Sequence, residues 1–160
     1  MLRIAKGQAA MRRLLMRMAP VMCAAAMLTG CLKAETVETE DPWVRLPAVA
    51  GRPASGYFKM HGAGKDAVLI NVAADLAVRT EMHESMKGPG GTMTMTPLTR
   101  VAVPARSDVV FAPGGRHLML FGVNPALKPG GATILTFTFS DGSRMQRKAW
   151  AIAAGDPAPK

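Results

Sequence analysis

Beyond residue 30 the chain holds three histidines, His61, His83 and His117, and seven methionines; five of the seven (Met82, Met86, Met93, Met95 and Met119) fall with two of the histidines between residues 82 and 119. Thioether and imidazole are the donors that a soft cation selects. Cu(I) prefers polarizable ligands, and a thioether needs no deprotonation and cannot be lost to a disulfide in an oxidising compartment. A zinc site would more often combine His with Cys, Asp or Glu. A blue-copper electron-transfer site needs a Cys thiolate, and the two cysteines, Cys23 and Cys31, lie well outside this stretch. The donor set therefore favours Cu(I), held for transport.

Such donors meet only if strands aim them to one side. In "TMTMT" (residues 92–96) the period of two puts Met93 and Met95 on one face and the threonines on the other. In "HLML" (residues 117–120) it puts His117 and Met119 together while Leu118 and Leu120 enter a core. Centring the "KGPGG" turn (residues 87–91) on Pro89 places His83 opposite Met95, with Cβ atoms about 5 Å apart. Met82 should then point inward, and Met86 and Met93 are expected beside the site as a hydrophobic shell or as auxiliary donors. Met60 and Met145 are expected in the core, where methionine fills irregular gaps. His61 has no paired donor and is left out. Trp43 and Trp150 are expected in the core or at its edge, where an indole N–H finds a partner.

The elements around these residues read as strand after strand. From residue 41 on, short apolar runs recur: "PWVRL", "SGYFKM", "AVLINV", "VRTEMHESM", "TMTMT", "RVAV", "DVVF", "HLMLF", "TILTFTF" and "RMQRKAWAI". Leu135, Phe137 and Phe139 alternate with Thr136 and Thr138, and no helical period competes over a comparable length. "KGPGG", "APGGR", "KPGG" and "SDGS" supply the fixed-φ and positive-φ residues of turns. The pattern predicts an all-β chain, a two-sheet antiparallel sandwich of eight to ten short strands.

The first 30 residues differ from the rest. They carry Arg3, Lys6, Arg12, Arg13 and Arg17 with no acid, then an apolar run, then "LTGC" at residues 28–31. This is the layout of a secretory signal. Its ending resembles the lipobox of bacterial lipoproteins, which implies lipid on Cys31, a membrane anchor and a location in the periplasm or cell envelope. The expected organisation is a signal over residues 1–30, a polar tether over 31–40, a β-sandwich over 41–152 and a flexible tail over 153–160. Five of the 20 Lys and Arg and none of the 11 Asp and Glu lie in the signal, so the remainder is only +4. Its cations are scattered without interleaved aromatics, and nucleic-acid binding has no support. With Cys23 removed and Cys31 lipidated no disulfide is available, and the fold must rest on an ordinary core.

The spacing of the donors has a known counterpart. His83, eleven residues, Met95, 21 residues, then His117-x-Met119 resembles the metal motif of the periplasmic copper chaperones called PCuAC. "DPWVRLP", "ASGYFKM", "EMHESM", "GTMTMTPL", "PGGRHLMLFGV" and "LTFTFSDG" follow in that family's order, over roughly residues 37–152. The resemblance implies a cupredoxin-like sandwich that binds Cu(I) through His83, Met95, His117 and Met119. It also implies a monomeric carrier that delivers copper toward the copper-A centre in subunit II of cytochrome c oxidase, alongside a Sco-type partner. "AAGDPAPK" lacks the His- and Met-rich tail of some members, so a single site is expected. The rival reading is a structural or interaction lipoprotein on an Ig-like sandwich, with the Met and His residues as packing. No Ser-His-acid or Cys-His arrangement stands in recognisable context, and the chain is read as a non-enzyme.

An imidazole binds metal only when neutral, whereas a thioether does not titrate. Copper affinity should therefore fall on acidification from about pH 7 to about pH 5. A chelator competition that stays flat over that range would remove the histidines from the ligand set.

Overall fold

The computed structural model describes residues 36–159. It contains β1 (Glu38–Arg45), β2 (Ala54–His61), β3 (Ala67–Ala74), β4 (Ala77–Lys87), β5 (Met93–Leu98), β6 (Val101–Val103), β7 (Asp108–Phe111), β8 (Arg116–Val123), β9 (Ala132–Phe139) and β10 (Arg144–Ile152). Each of the ten apolar runs forms a strand, and among the described residues the one helical element is a 3-10 turn at Pro89–Gly91. The signal segment and Cys31 lie outside the described residues.

Neighbouring strands follow the order β5-β4-β8-β2-β1-β10-β9-β3-β6, with β7 also beside β2. Pairing is antiparallel except between β1 and β10, where Trp43, Val44 and Arg45 run parallel to Trp150, Ala151 and Ile152. The purely antiparallel sandwich expected from the turn signals is thus a mixed one. No hairpin joins these two strands, so no tight turn sets their direction.

Alternation builds the core. In β9 Thr133, Leu135, Phe137 and Phe139 are buried while the residues between them are partly exposed. Leu135, Phe137 and Phe139 form one apolar cluster with Val44, Phe58, Leu69, Val72, Phe111, Leu118 and Leu120. Phe58 stacks on Phe111 at 4.2 Å between centroids and meets Phe137 edge-on at 4.9 Å, the offset and edge geometries that aromatic quadrupoles favour. Met60 is fully buried and Met145 packs against the cluster. Trp43 lies at the core edge against Tyr57, whereas Trp150 is half exposed beneath the Lys148 ammonium, 4.1 Å from its centroid.

Two boundaries differ from expectation. The polar tether was expected to run through Glu40, but β1 starts at Glu38, and Glu38, Thr39 and Glu40 pair with His61, Met60 and Lys59. Their side chains find partners in the sheet, which polarity alone does not disclose. Asp41, at φ 44°, and Pro42 then form a bulge that shifts the register before Trp43, a place where a residue without an N–H is tolerated. The tail is held at its start: Arg45 Nη1 donates to the carbonyls of Ala153, Ala154 and Asp156, at 3.3, 3.0 and 2.6 Å.

His61, at the end of β2, sits between two carboxylates. Its Nε2 is 3.0 Å from Glu40 on β1 and its Nδ1 is 2.5 Å from Asp108 on β7, which also pairs with Lys59 at 3.0 Å. Glu40 first, and Asp108 with it, raise the His61 pKa above its ordinary value. Lys59, and then His61, lower that of Asp108. A histidine raised on folding contributes stability that is complete below its unfolded pKa, about 6.5, and lost as pH climbs through the folded value. The wild type should therefore exceed His61→Gln in stability by more at about pH 6 than at about pH 9. Urea unfolding at the two pH values measures the difference, and an equal gap at both would exclude the charged network.

Candidate functional site

The β4–β5 hairpin positions half of the site. Gly90 and Gly91 adopt φ of 77° and 80°, which side chains disfavour, and Gly88 N–H donates to the Thr92 carbonyl at 2.7 Å to close the loop. This centres the hairpin on Gly90, one residue later than Pro89. His83 consequently stands opposite Pro97, and Met95 opposite Ser85. Cross-strand partners share a face, so Met95 still projects to the side of His83, displaced by two pairs toward the turn. Met93, opposite Lys87, shares that face; Met86, opposite Thr94, points to the other.

The second half comes from β8, paired antiparallel with β4. His83 is the direct partner of His117, and Glu81 is the partner of Met119. The imidazole centroids lie 6.0 Å apart with 30° between planes. Met82 and Leu118, the adjacent pair, face the core and are buried, as the alternation requires. All four expected donors, His83, Met95, His117 and Met119, thus lie on one face of the β5-β4-β8 ribbon. The face is graded: His117 is 8% exposed, whereas Met93 and Met95 are each 54% exposed at its open edge.

The ring nitrogens are in different situations. His117 Nδ1–H donates to the Gly115 carbonyl at 3.0 Å, and the same oxygen accepts Ser85 N–H from β4 at 3.2 Å. That bond leaves His117 Nε2 with its lone pair. His83 Nε2 lies 3.0 Å from a Glu81 carboxylate oxygen, and its Nδ1 is buried without a hydrogen-bond partner. A buried nitrogen lone pair with nothing to accept is costly in an apo fold and is what a metal donor requires. The Glu81 carboxyl is held below its usual range by the hydrogen bond from His83 and then by Arg79, whose guanidinium pairs with it.

Sequence reasoning passed over Glu81, Arg79 and the Gly115 carbonyl. Glu81 stands two residues before His83 on the same strand, so the period that joined His117 to Met119 also joins Glu81 to His83. His61, set aside for lack of a partner donor, has both ring nitrogens turned toward carboxylates. The arrangement around His83 and His117 can hold a single soft cation by two imidazoles and by thioethers reaching in from β5 and β8.

Residues 37–151 match the family described as "Putative lipoprotein LpqE-like". A curated relative from Leifsonia xyli subsp. xyli, "Putative lipoprotein Lxx21020", is 29% identical over 128 residues, covering 72% of this chain and 76% of its own. Among solved structures, the copper-bound PCuAC domain from PmoF2 aligns with a TM-score of 0.60 at 23% identity, over 73% of this chain and 92% of that domain. The Cu(I) form of DR1885 from Deinococcus radiodurans aligns with a TM-score of 0.55 at 21% identity, over 78% of this chain and 81% of that protein. The fold is that of PCuAC domains, the cupredoxin-like sandwich that the motif order implied.

Proposed function

The chain belongs to the LpqE-like lipoprotein family, and from that premise we propose that it is an exported Cu(I) metallochaperone. It takes up one Cu(I) through His83, Met95, His117 and Met119 and passes it to an acceptor protein. The observation that carries this reading is the direct pairing of His83 with His117 on the face that also presents both thioethers, with His83 Nδ1 buried and unpartnered. The copper named for the PmoF2 domain and for DR1885 supports it.

Four neutral donors suit a carrier. The ion keeps its charge and oxidation state, no ligand has to be reprotonated on release, and an incoming donor can replace a thioether at the open edge where Met95 is half exposed. Met93 is beside that edge as an auxiliary donor, whereas Met86 lies on the other face, half exposed, and takes no part in binding. The acceptor is the copper-A centre in subunit II of cytochrome c oxidase, reached together with a Sco-type protein. The carrier works as a monomer in the periplasm or cell envelope, tethered through lipid on Cys31 after removal of residues 1–30. It turns over no substrate.

Anaerobic Cu(I) competition against a chromogenic chelator tests the ligand set. His83→Ala with Met119→Ala should weaken binding by roughly 100-fold or more, and Met95→Leu by about 10-fold, whereas Met86→Leu should leave it unchanged. Equal, weak competition by the wild type and the double variant would reject the reading. X-ray absorption of the loaded protein should report Cu(I) with both nitrogen and sulfur neighbours; a shell of nitrogen and oxygen alone would reject it too.

A further inference from the structure

Each imidazole of the ribbon has one nitrogen engaged and one left over, and the two differ in which. His117 gives its Nδ1–H to the Gly115 carbonyl. His83 places Nε2 at 3.0 Å from Glu81 and keeps Nδ1 buried and unpartnered. An ionised carboxylate only accepts, so the proton of a neutral His83 sits on Nε2 and its lone pair on Nδ1.

Building on the copper reading above, we propose that Glu81 is the positioning residue of this site. It clamps the His83 ring so that Nδ1 is the atom offered to Cu(I), while His117 offers Nε2. Glu81 is itself held in place. Arg79 pairs with it from two residues earlier on the same face, and the Arg79 guanidinium lies over the Phe121 ring at 4.2 Å to the centroid. Arg79 and Phe121 are cross-strand partners, as are Glu81 and Met119 and then His83 and His117. Three alternate pairs of the β4–β8 ladder, all on one face, thus form one line in which an aromatic ring holds a guanidinium, the guanidinium holds a carboxylate, and the carboxylate holds an imidazole. A carboxylate on the far nitrogen also makes the imidazole a stronger donor. Without it the ring is free to turn over about its Cβ–Cγ bond and to present either nitrogen.

Long-range 1H–15N correlation of the histidine rings tests this in the metal-free and in the Cu(I)-loaded protein, prepared anaerobically. In the metal-free wild type, His83 should carry its proton on Nε2, in a slowly exchanging hydrogen bond. On loading, the nitrogens that shift should be His83 Nδ1 and His117 Nε2. Glu81→Leu should weaken Cu(I) binding by about 10- to 100-fold and spread His83 coordination over both nitrogens, with thermal unfolding little changed. Glu81→Gln, whose amide oxygen still accepts from Nε2–H, should keep coordination at Nδ1 and recover most of the affinity. Coordination of wild-type His83 through Nε2, or a Glu81→Leu protein with wild-type affinity and Nδ1 coordination, would overturn the role of Glu81 and leave the chaperone reading standing. A wild type in which Cu(I) moves neither ring would overturn the chaperone reading itself.

Discussion

Strands β4 and β8 pair over most of their lengths in a single register, and a slip of one residue in either strand would turn its core residue, Met82 or Leu118, outward and its histidine, His83 or His117, into the apolar core. Because the side-chain period of a strand is two, burial of one face and assembly of the other are the same event. Hydrophobic packing therefore fixes the relative placement of the metal donors, although the packed residues never touch the ion. The carboxylate beside His83, the carbonyl beside His117 and the thioether of Met119 all inherit their positions from that register.

His61 and His83 are both paired with carboxylates, yet their chemistry diverges. At His61 a carboxylate faces each nitrogen from a different strand, and Lys59 joins the group, so the ring is a charged tie among β1, β2 and β7. At His83 one nitrogen is tied and the other is buried with nothing to meet. The second case leaves a buried lone pair that no protein donor meets. Both His61 Nε2 and His83 Nδ1 are buried without a well-aligned hydrogen bond, but His61 Nε2 has the Glu40 carboxylate 3.0 Å away, and that difference separates a structural imidazole from a ligating one.

Much of this was legible in the residue order. Short apolar runs between turn signals located the ten strands, and alternation placed His117 with Met119 and opposed Met82 to His83, because period two is a local property that a few residues reveal. The mixed direction of the sheet was not, since the partner of Trp43 is Trp150, over a hundred positions away. Hairpin centring failed by one residue because the two positive-φ glycines follow Pro89 and draw the turn toward them. Polarity misread Glu38 to Glu40 as tether: a charged residue at a sheet end is compatible with a strand when its neighbours supply the opposite charge, and those neighbours, Lys59 and His61, are distant in sequence. Glu81 was passed over for another reason, since attention to metal donors overlooked the group that orients one of them.

The parallel contact of β1 with β10 bears on the order in which the chain can assemble. Strands β4, β5 and β8 belong to the middle of the chain, and β4 and β5 form a local hairpin whose closure costs little entropy. β1 precedes the ribbon strands in the chain, yet one of its edges stays open until residues 150–152 exist, so the sheet around it is sealed only once β10 is made. A chain that emerges from its N-terminus can thus shape the ribbon that bears the donors before the sandwich closes, and premature truncation anywhere ahead of β10 leaves β1 with an unpaired edge open to other chains.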